Sequence, residues 1–141
     1  MNMFLGKTLI HGGVYPDGVI RLVKKGKSQF PQKSVHEQIK LDGEVGWLTE
    51  NLLHYDSPTM KRYLDRLNRY TDLFAKEYSE EKLPKNVWNF MSYVIFKPIS
   101  TFFSLFIRHK GILDGAPGFI WSFFSASRFA ISYFKYLTSN S

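Results

Sequence analysis

The sequence predicts a mixed α/β fold in which short strands come first, then an amphipathic helix, then an aromatic helical region. Three observations carry that expectation. Residues 1–56 hold short β-branched and apolar runs cut by Gly-containing turns. After Ser57-Pro58, apolar residues recur at three- and four-residue spacing. From Lys85 onward Phe, Tyr, Trp and Ile dominate, and acidic residues all but vanish.

Taking the elements in order, Val19-Ile20-Arg21-Leu22-Val23 is apolar and β-branched apart from Arg21, which predicts a short buried strand. Further short strands are expected over 34–41, 46–48 and 52–55, joined by short polar connections. Before them, His11-Gly12-Gly13-Val14-Tyr15-Pro16-Asp17 is punctuated as a loop. Its glycine pair would let a backbone approach a ligand closely. Residues 1–56 thus read as part of a larger α/β domain.

Ser57 is a good N-cap, and Pro58 suits the first helical position because its missing N–H costs nothing there. Met60, Tyr63, Leu64, Leu67, Thr71, Phe74 and Tyr78 form the apolar stripe. Lys61, Arg62, Asp65, Arg66, Asn68, Arg69 and Asp72 lie mostly off it. That polar side is either simply solvated or, through Arg66, Arg69 and Tyr70, turned toward a phosphate.

Beyond Pro84, six basic residues stand against Asp114 alone. They cut the apolar residues into pieces: 115–127 has 13 residues without a charge and 98–107 has 10. A spanning helix needs about 20. Two helices are therefore expected, interrupted at Arg108-His109-Lys110-Gly111 and Asp114-Gly115-Ala116-Pro117-Gly118. Aromatic faces with basic residues suit helices lying among lipid headgroups. A hairpin covering the rest of the domain is the alternative. The division expected is 1–56, 57–83 and 84–141.

With 141 residues, 44% of them hydrophobic, the chain can build one modest core. It has no cysteine, which excludes a disulfide framework and thiolate metal sites. The net charge of +7 points to anionic partners: nucleic acid, a membrane surface or phosphates. Nucleic acid is set aside, because the aromatics cluster in blocks with Ile, Leu and Val and not on a polar platform. Residues 1–7 are not expected to act as a signal peptide, since Lys7 and His11 interrupt the apolar run. P-loop, dinucleotide-glycine, HExxH, EF-hand and Gly-x-Ser-x-Gly patterns are absent from the sequence.

The chemistry-bearing stretch is Lys33-Ser34-Val35-His36-Glu37-Gln38 with the following Leu52-Leu53-His54-Tyr55-Asp56. A glutamate beside a histidine is equipped for proton transfer. A second histidine further on can hold a metal or a phosphate.

In sequence order, Phe-Leu-Gly-Lys, His-Gly-Gly-x-Tyr-Pro-Asp, Arg-Leu-x-Lys-Lys-Gly-Lys, Lys-Ser-Val-His-Glu, Gly-x-Val-Gly, Leu-Leu-His-Tyr, Tyr-Leu-x-Arg-x-Asn-Arg-Tyr and Arg-His-Lys-Gly-x-Leu-Asp-Gly occur between residues 4 and 136. This series resembles the C-terminal half of bacterial glycosyltransferase family 2, in the branch of lipopolysaccharide-core β-glucosyltransferases. The resemblance implies the acceptor-side part of a GT-A fold and inverting transfer from a nucleotide-sugar to a cell-surface glycan or glycolipid. It implies a divalent ion (Mg2+ or Mn2+) and peripheral attachment to an anionic membrane, the cytoplasmic face of the bacterial inner membrane. By the same resemblance Glu37, with His36 beside it, falls where the catalytic base belongs. His54 falls where a histidine helps hold metal and diphosphate. His11, Asp17 and Arg21 would line the acceptor or diphosphate side, and Arg66 and Arg69 would hold phosphate charge. Val14, Gly18 and Val23 depart from the family pattern, which bears on the acceptor sugar.

No Asp-x-Asp motif occurs in the chain. The expectation is accordingly an acceptor half whose donor-binding half lies elsewhere, inactive by itself. The competing expectation is a non-catalytic membrane-surface module derived from such an enzyme.

Overall fold

The computed structural model describes residues 1–16, 18, 20, 22–26, 28–29, 40–41, 43–48, 50 and 52–139. Among these, short strands β1 (Asn2–Phe4), β2 (Lys7–Leu9), β3 (Ser28–Gln29), β4 (Lys40–Leu41) and β5 (His54–Ser57) precede helices α1 (Met60–Glu80), α2 (Val87–Met91), α3 (Lys97–Phe103) and α4 (Ala116–Thr138). The fold is mixed α/β, with helix predominating. Its contacts group into two compact units, Met1–Pro16 with Leu53–Ser141, and Asp17–Leu52. The expected division after 56 and 83 is not how the chain groups, because the N-terminal strands share a unit with all the helices.

In the larger unit β1 and β2 form a hairpin turned at Leu5-Gly6, both residues at positive φ (49° and 78°) as such tight turns require. β5 adds parallel to β1, giving the order β2-β1-β5. Phe4 and Leu9 share one face of this small sheet and are buried with Val14 against Tyr63 of α1. Trp121 and Phe124 of α4 close the cluster, and the Phe4 and Tyr63 rings meet edge to face at 4.9 Å.

α1 begins later than Ser57-Pro58 suggests. Ser57 ends β5, where its carbonyl accepts the Leu5 N–H, so it is occupied as strand. Thr59 caps instead, its Oγ1 accepting the Arg62 N–H at 3.3 Å. The buried positions are Tyr63, Thr71 and Ala75, while Leu64 is exposed. Ala75 belongs to a second cluster with Tyr133 and Tyr136 of α4.

The two expected C-terminal helices are present, interrupted between Arg108 and Ala116. The first is longer than its charges suggest. α2, a π-helical turn over Ser92–Phe96, α3 and a second π turn over Ser104–Arg108 form one 22-residue helix, Val87–Arg108. The Lys97 N–H bonds the Ser92 carbonyl five residues back, a wide turn that carries the helix into Pro98, which has no N–H to give. By length and composition this helix is apolar enough to cross a membrane, unlike the separate pieces read from sequence.

In the smaller unit β3 and β4 pair antiparallel. The strand expected over 19–23 is not formed at Ile20, Leu22 and Val23, and Leu22 is 78% exposed. Nor is one formed at Gly46, Trp47 and Leu48, where Trp47 is 82% exposed. A β-branched run becomes a strand only where a neighbour supplies a ladder, and the described pairing here runs through 28–29 and 40–41. Of the expected 34–41 strand, Lys40–Leu41 is β4 and 34–39 lie outside the described residues. The expected 52–55 strand is shifted two residues, to β5.

Candidate functional site

An open cleft of about 390 Å³ lies in the larger unit, lined by His54 and Tyr55 of β5 and by Arg62, Asp65, Arg66 and Arg69 of α1. Residues 62, 65, 66 and 69 fall on one helix face by their three- and four-residue spacing. β5 ends at Ser57 and α1 starts at Met60, so a two-residue turn brings the strand's histidine to that face.

Among the described residues, three guanidiniums line this cleft against one carboxylate. Arg66 also lies 5.8 Å over the Tyr63 ring, which rests in the Phe4 cluster. Burial is the main cause of a guanidinium pKa below the usual value at Arg66; Tyr70 opposes the shift and Arg69 adds to it. A cation partly withdrawn from water beside another cation gains from an anion more than a solvated one does. His54 Nδ1 lies 3.1 Å from Asn2 Oδ1. That oxygen only accepts, so the bond is donated by an Nδ1–H of the imidazole.

The structure therefore brings together three of the residues singled out from sequence, His54, Arg66 and Arg69. Arg62 and Asp65 were missed, although their helical spacing relative to Arg66 and Arg69 was visible. His36 and Glu37 lie outside the described residues, as do Asp17 and Arg21.

His11 is placed apart from the cleft residues by its bonding. Its backbone N–H donates to Asp114 Oδ2 and its Nδ1 donates to Asp114 Oδ1, each at 2.8 Å. The Asp114 side chain is only 7% exposed. Gly12 N–H donates to the His109 carbonyl at 2.9 Å, and Trp121 Nε1–H donates to the Gly12 carbonyl at 3.3 Å. The glycine pair allows a close approach, but to the turn between the last two helices: a Cβ on Gly12 would sit 3.3 Å from the Trp121 ring.

A divalent ion prefers six or more oxygen ligands. Among the described residues no group of three or more His, Asp or Glu side chains is placed to hold a metal. The cleft offers one imidazole and one carboxylate among three guanidiniums that repel a cation. It fits an anion and does not fit a metal held by these side chains alone.

A scan against protein-family models and a search of solved structures each return no match for this chain.

Proposed function

We propose that the chain is the acceptor-side part of an inverting family 2 glycosyltransferase of GT-A fold, moving a sugar from a nucleotide-sugar to a cell-surface glycan or glycolipid. The observation that supports this reading is the cleft in which Arg62, Arg66 and Arg69 converge beside His54. In such a transfer an acceptor hydroxyl forms a bond to the anomeric carbon, and the bond to the diphosphate breaks with its electron pair. The hydroxyl proton passes to Glu37, assigned as base by resemblance alone, with His36 as its neighbour. Guanidiniums oriented before the reaction neutralise the charge that builds on the departing diphosphate. Mg2+ or Mn2+, implied by the resemblance, belongs to the proposal only with ligands from outside the cleft joining His54.

Calorimetric titration with inorganic pyrophosphate tests the cleft. Saturable binding that falls roughly tenfold or more in Arg66→Ala/Arg69→Ala is expected, since hydrogen bonds between charged groups contribute about 1.5–3 kcal/mol each. Equal affinity in the variant would overturn the reading. In a transferase that contains the donor half, Glu37→Gln should lower transfer by about 10²–10⁴-fold; normal turnover would remove the base assignment.

A second reading has its own observation. Large apolar side chains along Val87–Arg108 stand exposed, Trp88 at 74%. This favours contact with an anionic bilayer, the cytoplasmic face of the inner membrane, either as the transferase's attachment or as a non-catalytic membrane-surface module. Vesicle binding together with no pyrophosphate binding would select the module.

A further inference from the structure

The Val87–Arg108 helix has the length to cross a bilayer, yet its neighbours do not permit it to. α4 runs antiparallel to it: Phe90 touches Tyr133 and Phe134 at one end, and Phe102 and Phe106 touch Phe119 at the other. On its other side α4 runs alongside α1, from Tyr63 against Trp121 and Phe124 to Tyr78 against Tyr136. The three helices are thus matched along most of their lengths. A crossing orientation would carry the middle of α1, with Arg66, Arg69 and Asp72, to the same depth as the middle of the apolar helix. Charges at that depth are costly, and α1 is an ordinary water-facing helix with exposed Arg69 and Asp72.

The alternative orientation is marked by where the cations go. Lys97, the one charge inside the apolar helix, has its Nζ 3.3 Å from the centre of the Tyr93 ring, and Tyr93 stacks on Tyr133 of α4. Arg128 lies over Phe74 of α1, and Lys135 Nζ donates to Asp72 Oδ1 at 2.6 Å and to Asn68 Oδ1 at 2.7 Å. Both cations of α4 therefore lean to α1. The large apolar side chains left exposed are Phe96, Ile99, Phe103 and Ile107 at helical spacing, with Ser100 among them, continued by Phe119 and Phe123 of α4. Trp88 and Lys85 stand at one end, Arg108 and Lys110 at the other. The only carboxylate in 82–139, Asp114, is taken by His11.

We infer that this face docks on an anionic bilayer with Val87–Arg108 and α4 lying in the plane of the surface, their apolar side sunk into one leaflet and α1 kept in water. The inference rests on the membrane contact proposed above and adds its geometry. Aromatic and aliphatic side chains enter the acyl boundary, while Arg108 and Lys110 meet lipid phosphates.

The chain has no cysteine, so single cysteines at Trp88, Ile99, Ile107 and Lys76 each carry one nitroxide label. Flotation with phosphatidylglycerol-containing phosphatidylcholine vesicles, followed by depth measurement with oxygen and a nickel chelate, gives the test. The expected result is flotation that weakens with salt, the three labels on the apolar helix at one shallow depth, and the Lys76 label in water. A label at Ile99 about 15 Å deeper than those at both ends would overturn the in-plane geometry while leaving membrane contact standing. Failure to float would end both, and a dimer that shields the labels without flotation would assign the face to a second copy. Ile99→Glu/Phe103→Glu, at exposed positions, should keep its circular dichroism and lose roughly tenfold or more in vesicle binding. Unchanged binding would also overturn the inference.

Discussion

The cleft and the helical hairpin use the same kinds of cation in opposite ways. On α1, Arg62, Arg66 and Arg69 gather around an open space. On the hairpin, Lys97 is folded over Tyr93, Lys85 over Tyr136, and Lys135 onto α1. The first arrangement lines a cleft with charge; the second removes charge from a surface so that it can be apolar. A net charge of +7 does not distinguish the two. What each cation lines or covers does: an open cleft in the first case, ring faces and the polar side of α1 in the second.

The comparison breaks most severely if the hairpin is forced open. A Cβ on Gly118 would collide with the Gly111 carbonyl, and it would come within 3.0 Å of Asp114 Cβ. Gly118→Ala should therefore destabilise by about 3 kcal/mol in a denaturant titration, with the midpoint falling accordingly. Asp114→Ala leaves two His11 donors without their acceptor and should cost about 2 kcal/mol by the same measurement. Both changes spare the residues of the cleft, so pyrophosphate affinity measured below the unfolding midpoint should hold.

A pH titration sharpens the difference between buried and open groups. Burial, chiefly, pushes Tyr78 up from the ordinary 10 to about 12, with Tyr93 adding to the shift. The folded state holds the phenolic proton more tightly, so this contribution is complete below pH 10 and is lost as pH rises toward 12. Allowing for solvent screening, stability should fall by about 1–2 kcal/mol across that window, and Tyr78→Phe should flatten the loss. An equally steep profile in Tyr78→Phe would place the effect elsewhere.

The smallest effect is the most discriminating. Lys97→Met removes a cation resting on a ring and should cost about 0.5–1 kcal/mol of stability. Vesicle binding should persist in this variant, because Lys97 is turned inward. A large loss of binding would make Lys97 a lipid-phosphate contact, and the contrast with the cleft arginines would disappear.

What the sequence made legible follows from how local each signal was. The α1 stripe and the interruption between the last two helices rest on spacing and on Gly-Pro punctuation within a few residues. The start of α1 was misplaced by a long-range event, the pairing of Ser57 with Phe4. The apolar runs at 19–23 and 46–48 promised strands, and no residue nearby could announce that Leu22 and Trp47 would stand in solvent. Continuity through Lys97-Pro98 was hidden because a π turn, not a residue type, carries it. In the cleft, Arg66 and Arg69 were named from a charged helix face. Their neighbours Arg62 and Asp65 had the same spacing signal, while the arrival of His54 depended on β5 joining the sheet. The Asp114 partner of His11 had no local signature.

Those two residues lie 103 apart in sequence, and Trp121 reaches Gly12 across 109. His11 and Gly12 thus gain these bonds only after the turn at 109–115 and the start of α4 exist. Closing loops of that length is slow compared with forming either helix. During synthesis β1 and β2 precede α4, so Phe4 and Leu9 can pack on Tyr63 of α1 before Trp121 and Phe124 complete their cover.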